Sequence, residues 1–344
     1  MKRWLLIGLV ALLVVAGVSG GLVYRTLSDR LSAPFQAYPG AEQFVDIPRG
    51  LTVRAIGDRL VEAGVVRDAL TFRLAMWLGG DERRLQAGEY RFDHPMRADE
   101  VIETLVRGDV HLVPITFPEG LDLDETAQVF ERSGFGSAAD FLAVARDPSP
   151  IADLDPQATD LEGYLFPDTY HLPRAATPAD VVRRMVRGFR DAWSVELRRA
   201  ADAAQYSVRE VVALASLIEK ETGRTDERPI IAAVYTNRLR RGMGLQCDPT
   251  VIYALKRAGR YDGNLTRADL AFDSPYNTYR YPGLPPGPIA SSGLASLEAA
   301  VAPADADYLY FVSRNDGSHE FARTLREHNR NVQEFQVRYF RGRR

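Results

Sequence analysis

The sequence predicts an α+β protein in three parts: an N-terminal transmembrane helix, a small α/β module with a repeat, and a larger mixed α+β domain. Three observations predict this arrangement. An uncharged apolar segment opens the chain, a strand–turn–helix pattern occurs twice, and several amphipathic helices follow residue 160. The period of the apolar residues separates the elements, since side chains share a face every 3.6 residues in a helix and every two in a strand.

The composition is that of a globular protein, with 46% hydrophobic and 26% charged residues and a net charge of −3. No stretch interleaves Lys and Arg with aromatic residues, so a nucleic-acid partner is not expected. The sequence has neither a glycine-rich nucleotide loop nor a zinc-ligand spacing, so we expect no cofactor and no metal.

Cys247 is the single cysteine, which excludes an intrachain disulfide. We interpret it as a small inert residue, with a nucleophilic thiol near His319 or His328 as the alternative.

Residues 1–25 are predicted to be a cytoplasmic N-terminus and a membrane anchor. Residues 4–24 carry no charge, and about twenty apolar residues are enough to span a bilayer. A cleaved signal peptide is the competing interpretation, but residues 18–21 match a cleavage site poorly. Lys2 and Arg3 favour a cytoplasmic N-terminus, so the rest of the chain is expected outside the cell (inner) membrane. Residues 26–43 are interpreted as a linker.

A small module is predicted over residues 44–110, and a second, repeat-like module over 111–159 leads into the next domain. When the sequence is shifted by 70 residues, five positions of one copy match five of the other: Pro48, Gly50, Leu51, Val53 and Gly64 fall on Pro118, Gly120, Leu121, Leu123 and Gly134. This internal repeat predicts a strand, a turn and a helix in each copy.

The domain over residues 160–344 is predicted to carry the chemistry. Helical patterns run over about 178–203, 208–222, 227–241 and 321–340, and a strand is predicted at Tyr308–Val312. Between them, residues 273–293 hold five prolines and three glycines, which forbid regular structure. A loop of that length in a compact domain is typical of a functional segment. Its tyrosines are suited to stacking on sugar rings.

The helix over residues 208–222 carries a carboxylate at the end of its apolar face. Ser207 and Glu210 form a capping box at its start, and Gly223 follows as a stop signal. At 100° per residue, Glu219 lies on the same face as the buried-type residues of the preceding turns.

Glu219 is therefore the candidate general acid. A carboxylate in apolar surroundings loses hydration of its charged form, so its pKa rises and it can donate a proton near neutral pH. The alternative is structural, an ion pair between Glu219 and one of the many arginines. Glu221 points roughly 160° away around the helix and is predicted to be an ordinary solvated carboxylate.

Five segments, in this order, resemble those of the endolytic murein transglycosylases, the MltG or YceG-like family. They are Glu162-Gly-Tyr-Leu-Phe-Pro-Asp-Thr-Tyr170, Leu214-Ala-Ser-Leu-Ile-Glu-Lys-Glu-Thr222, Gln246-Cys-Asp-Pro-Thr250, Ser274-Pro-Tyr-Asn-Thr-Tyr279 and Thr324-Leu-Arg-Glu-His-Asn329. The most specific part is the Glu219 helix combined with the Pro-rich tyrosine loop. The likeness covers essentially the whole chain, and Cys247, where Ser is expected, is a small departure.

The resemblance implies a single-pass membrane enzyme with a LysM-like module before its catalytic domain. Such an enzyme cuts nascent peptidoglycan strands internally, between N-acetylmuramic acid and N-acetylglucosamine, leaves a 1,6-anhydromuramic end and thereby terminates strand elongation. The family's catalytic glutamate falls on Glu219. Expected partners are the glycan strands and the peptidoglycan synthases (penicillin-binding proteins). Substrate contacts are predicted at Tyr164, Gln246, Asn277 and Tyr279.

A transglycosylase needs only one catalytic carboxylate, because its nucleophile, the C6 hydroxyl, belongs to the sugar being cleaved. The alternative enzyme is a muramidase, which uses water and a second carboxylate, here Asp248, Asp168 or Glu320. The alternative outside the enzymes is a non-catalytic glycan-binding scaffold that recruits wall synthases.

Overall fold

A computed structural model describes residues 2–80 and 84–341 of the chain. The chain divides into two compact units, Met1–Val113 and Pro114–Arg344. Helices and two-stranded sheets build the described parts of both units, so the predicted α+β class is confirmed.

The first helix, α1, runs over Lys2–Ser32 and contains the predicted membrane span. The side chains of residues 4–7 and 9–11, which belong to that span, lie outside the described set. Within the described set, no helix combines the length and the apolar character that crossing a membrane requires.

The rest of the first unit is a small module with its own core. Its elements are β1 Gln43–Ile47, α2 Val53–Glu62, α3 Ala69–Gly79, β2 Gly88–Phe92 and α4 Ala98–Arg107. β1 and β2 pair antiparallel, with Val45 opposite Tyr90. Thr52 and Asp68 start the two central helices because their side-chain oxygens accept from backbone N–H groups of the first turn. Leu60, Phe72 and Tyr90 are fully buried in the centre.

The elements that the repeat predicts follow from residue 112, and all of them except the first two residues of the strand belong to the second unit. These are β3 Leu112–Thr116, α5 Leu123–Arg132 and α6 Ala138–Ala145. The bounds of α5 lie 70 residues after those of α2 at both ends. Gly50 and Gly120 occupy the matching turns with φ of 85° and 79°, a left-handed conformation that favours glycine.

The remaining elements of this unit include a central helix, α9. They are β4 Thr169–Pro173, α7 Pro178–Ala192, α8 Val195–Ala204, α9 Val208–Glu221, α10 Arg228–Arg240, α11 Asp248–Arg257, α12 Leu294–Val301, β5 Tyr310–Ser313, β6 His319–Ala322 and α13 Leu325–Val332, which continues into a π-helical stretch, Gln333–Arg338. α9 packs against α8, α10, α11 and α12. Eight consecutive residues of α9, 211–218, are buried. It is therefore a central helix without a solvated face along those turns.

Two predicted helices have different bounds in the structure. The pattern over 178–203 is two helices, because Ser194 is extended and its hydroxyl accepts from Leu197 N to cap the second. The pattern over 321–340 begins later, at Leu325, because residues 319–322 pair with β5 as a strand.

The end of α9 also differs from the prediction. Thr222, in an extended conformation, is the C-cap, and Gly223 does not adopt the left-handed backbone that a glycine stop uses. At the start of the helix the predicted capping box between Ser207 and Glu210 is present.

Candidate active site

Glu219 lies in the last turn of α9 with its side chain only 4% exposed. Its Oε1 accepts a hydrogen bond of 2.7 Å from Arg228 Nη2, and its Oε2 accepts one of 3.0 Å from Gly293 N. Both carboxylate oxygens are thus held, one by a charged group at the start of α10 and one by the backbone at the start of α12. The ion pair considered as an alternative from the sequence is present, and its partner is Arg228.

A second carboxylate shares the same guanidinium. Arg228 Nη2 donates to Glu119 Oε2 at 3.0 Å, and the Glu119 side chain is about half exposed while that of Arg228 is buried. Gly293 makes room for this arrangement, because a Cβ atom there would lie 1.8 Å from Glu119 Oε1. The site therefore joins a buried carboxylate to an exposed one through a single arginine.

The Pro-rich loop and the repeat turn bring Gly293 and Glu119 together. Gly120 N donates to Ser291 O at 2.8 Å, and Ser291 N donates to Leu121 O at the same distance. Lys220 Nζ, next to the candidate acid, donates to Gly120 O at 2.9 Å. Backbone hydrogen bonds thus join the Pro-rich loop to the repeat turn next to Glu219, although neither segment is a helix or a strand.

Burial is the main cause that raises the pKa of Glu219 above its ordinary value. The side chain of Ser296, the backbone N–H of Gly293 and the charge of Arg228 lower it, and the charge of Glu119 raises it further. The net direction is upward, so the ion pair with Arg228 does not cancel the effect of burial. A carboxyl group that holds its proton above the usual range has the property that a general acid needs.

Glu221 is partly buried and hydrogen-bonded, so the prediction of an ordinary solvated carboxylate was wrong. Its Oε1 accepts a hydrogen bond of 2.6 Å from the hydroxyl of Tyr235, and burial raises the pKa of its carboxyl. The reason is that α10 and the start of α11 cover the side of α9 that helical periodicity assigned to solvent. Cys247, beside it, is buried, and burial raises the pKa of its thiol well above the ordinary value. A protonated, buried thiol agrees with the interpretation of an inert residue.

The structure brings two of the four predicted substrate contacts together. Gln246 is exposed at the entry to α11, and its backbone N donates to Thr278 O at 3.2 Å. Tyr279 is half-buried, and its hydroxyl donates to Asp248 Oδ1 at 2.6 Å. Gln246 thus contacts the residue that precedes Tyr279 in the Pro-rich loop, so these two predicted contacts lie close together.

The other two predicted contacts lie in the interior. Tyr164 is 1% exposed, and its hydroxyl donates to Asp155 Oδ2 at 2.6 Å. Asn277 is fully buried, and its amide nitrogen donates to the carbonyls of Leu270 and Phe272. Tyr164 thus packs the core and Asn277 fixes the loop, so neither presents a surface to a sugar in this structure.

The three carboxylates considered for a muramidase are engaged elsewhere. Asp248 accepts from Tyr279, Asp168 accepts from the backbone of Thr169, and Glu320 pairs with Arg314. The carboxylate that shares a partner with Glu219 is Glu119, which the sequence interpretation missed. The internal repeat could have indicated Glu119, because the two copies differ at this turn. The first copy has Arg49 where the second has Glu119.

Comparisons with known proteins agree on one family. The model of the YceG-like family matches residues 45–334. An endolytic murein transglycosylase of Bacillus subtilis (strain 168) is 34% identical over 305 residues, 83% of this chain and 82% of that protein. One from Streptococcus pneumoniae (strain ATCC BAA-255 / R6) is 31% identical, with 95% of this chain matching 64% of that protein. The crystal structure of a YceG-like protein of Listeria monocytogenes has a TM-score of 0.58 and 32% identity, covering 84% of this chain and 98% of that one.

Proposed function

Because the chain belongs to the YceG-like family, we propose that it is an endolytic murein transglycosylase with Glu219 as its general acid and base. The substrate is a peptidoglycan strand, cut internally between N-acetylmuramic acid and N-acetylglucosamine. The observation that carries the proposal is the buried carboxyl of Glu219, fixed at both oxygens by Arg228 and Gly293. The names of the relatives, endolytic murein transglycosylases at 31–34% identity, support the same reaction.

In the proposed mechanism, Glu219 first gives its proton to the glycosidic oxygen. Positive charge develops at C1 of the muramic sugar, next to a carboxyl group that has just become negative. The C6 hydroxyl of the same sugar then attacks C1, and Glu219 takes its proton. The product is a 1,6-anhydro sugar, and Glu219 returns to its protonated state. Since the nucleophile is part of the bound substrate, effective molarity replaces a second catalytic group.

The decisive test is Glu219→Gln, which keeps the size of the side chain and removes the transferable proton. We expect the rate of strand cleavage to fall by about 100-fold or more, measured by mass spectrometry of the products. Glu298→Gln, at an exposed position on α12, is the matched control and should cleave at the parental rate. Unchanged cleavage by the Glu219 variant would remove our assignment. No cleavage by the parent protein would favour the scaffold.

A muramidase is the second candidate, and Glu119 is the observation that favours it. Its exposed carboxylate, held on the guanidinium that binds Glu219, is in a position to activate water. The products separate the two reactions, because hydrolysis leaves a reducing end and the transglycosylase leaves an anhydro end. Reducing ends that disappear in Glu119→Gln would establish the muramidase.

We further propose that residues 1–25 anchor the chain in the cell membrane with a cytoplasmic N-terminus. Support comes from the uncharged run over residues 4–24 and from Lys2 and Arg3 before it. Protease added to intact spheroplasts should digest the domains that follow and leave only an N-terminal fragment. Recovery of the full chain in the soluble fraction would contradict the anchor.

The module over residues 44–110 is proposed to be LysM-like and to bind glycan strands near a wall synthase. It has its own core and sheet. The fragment 26–113 should sediment with insoluble peptidoglycan, and cross-linking in cells should recover a penicillin-binding protein with the full chain. A fragment that stays in the supernatant would show that the module does not bind glycan strands and serves only as a packing platform.

A further inference from the structure

A cavity of about 180 Å³ lies within residues 114–344 and is lined in part by the residues that follow the Glu119 turn, Asp122 to Asp124. Its walls come from the start of α5, the end of α6, the loop at Asp160 and Glu162, and one face of α11. This volume is an order of magnitude more than a single water requires. The cavity therefore has room for a small polar group.

Glu162 forms the floor of the cavity and is only 5% exposed. Its Oε2 accepts from Leu123 N at 3.2 Å and from the hydroxyl of Tyr253 at 3.1 Å. Its Oε1 is buried and has no hydrogen-bond partner in the described part of the chain. A buried polar atom without a partner is costly, which points to a ligand that supplies a donor.

Most other charged groups around the cavity neutralise one another. Lys256 Nζ lies 2.8 Å from Asp122 and 2.6 Å from Glu125, and Arg257 lies 3.5 Å from Asp160. Asp124 adds a further carboxylate to the wall. Four carboxylates besides Glu162 therefore face these two basic side chains, which leaves an excess of negative charge around the cavity.

Arg146 is the basic group left over at the rim. It is exposed at the end of α6, and its guanidinium takes part in no ion pair or hydrogen bond with the residues that the structure describes. A guanidinium in that state offers two parallel donors to a carboxylate. The cavity therefore presents an unpartnered acid at its floor and an unpartnered base at its mouth.

We propose that this cavity binds a zwitterionic amino-acid group, with its ammonium on Glu162 and its carboxylate on Arg146. The proposal rests on the proposed function, because it makes this group part of the peptide stem that a muramic sugar carries. The turn that holds Glu119 next to Glu219 continues into Asp122 and Leu123 in the cavity wall. The proposal thus places the stem of a strand held at Glu219 along this turn, towards the cavity.

The ionisation of Glu162 fits a cationic partner. The pKa of its carboxyl is raised to about 8, mainly by burial and also by the charges of Asp122 and Asp160, against the hydrogen bonds from Leu123 and Tyr253. The negative charges that disfavour ionisation of Glu162 attract an ammonium group. An ammonium beside Oε1 stabilises the ionised carboxylate and supplies the missing donor.

The experiment compares strands that carry peptide stems with the same strands stripped by an amidase. The parent protein should cleave stem-bearing strands at least about tenfold faster, which is the effect of one charge-assisted hydrogen bond. Arg146→Ala and Glu162→Gln should each lower the ratio of the two rates towards one. Arg199→Ala, at an exposed position on α8, is the matched control and should keep the parental ratio.

The released stem peptides test binding without catalysis. Saturation-transfer NMR should detect them on the parent protein and on Glu219→Gln, and not on Arg146→Ala. Equal rates on both strands, together with no peptide signal, would overturn the cavity proposal and leave the transglycosylase intact. Peptide binding without cleavage of either strand would instead overturn the proposed function and retain the cavity.

Discussion

Two neighbours of opposite charge adjust the pKa that burial and hydrogen bonds set for Glu219. Burial sets the upward direction of its pKa, Arg228 opposes it, and Glu119 reinforces it. The arginine has two carboxylates to balance, since both accept from its Nη2. Its ability to stabilise the ionised form of Glu219 is therefore divided, and the protonated form that starts the reaction is retained.

Glu119→Gln should move the alkaline limb of the activity profile to lower pH. Removing the negative charge of Glu119 lowers the pKa of Glu219, so the general acid loses its proton earlier as the pH rises. The measurement is kcat/KM on purified strands against pH. Arg228→Gln removes the opposing charge and should move the same limb upward. An unchanged limb in both variants would show that Glu219 is not the titrating acid.

Glu162 should make the protein less stable as the pH rises. Its pKa is about 8 in the folded chain against an ordinary 4.5, so between those values the folded state binds the proton more tightly. Stability then falls by up to about 1.4 kcal/mol per pH unit. Urea unfolding at pH 5 and pH 8 should show this loss in the parent and in the control Glu298→Gln, but not in Glu162→Gln. A parallel decline in all three would contradict the assignment.

At the scale of elements, a glycine in the loop after Glu162 lets the Pro-rich loop approach α9. Gly163 has a φ of 79°, and a Cβ there would lie 2.5 Å from Pro288 and 2.8 Å from Val212. Gly163→Ala should destabilise the second unit by roughly 2–4 kcal/mol, because both the backbone and the packing resist it. Gly223→Ala is the control, since nothing lies within 4 Å of its Cβ position. Equal melting temperatures for the two variants would contradict this account.

The sequence predicted the ends of those elements that are fixed by residues adjacent in the chain, such as caps and glycine turns. The capping box at Ser207 and the glycine turns of the repeat are of this kind, and both are present. The break at Ser194 was missed because the apolar pattern continues across it and only the cap reveals it. Local patterns thus located helices well and their interruptions less well.

The candidate site was predictable only in part, because its second half comes from contacts distant in sequence. Helical periodicity found Glu219, but Arg228 and Glu119 reach it only through folding. The same rule misplaced Glu221, since periodicity assigns a face to solvent without knowing that another helix covers it. Tyr164 was selected for its chemistry, and burial in the core decided its place.

At the scale of the whole molecule, the residues that the structure describes form two separate hydrophobic cores. One is formed by residues between 38 and 105, and the other by residues between 115 and 300. Cores that share no residues can unfold independently when few interactions link them.

Calorimetry should therefore resolve two unfolding transitions. Leu60 is fully buried in the first core and Leu165 in the second. Truncation of either to Ala should cost about 2–5 kcal/mol through lost burial and the cavity that remains. Leu60→Ala is expected to lower the melting temperature of one transition and Leu165→Ala that of the other. If each truncation shifted both transitions equally, the two cores would be coupled into one cooperative unit.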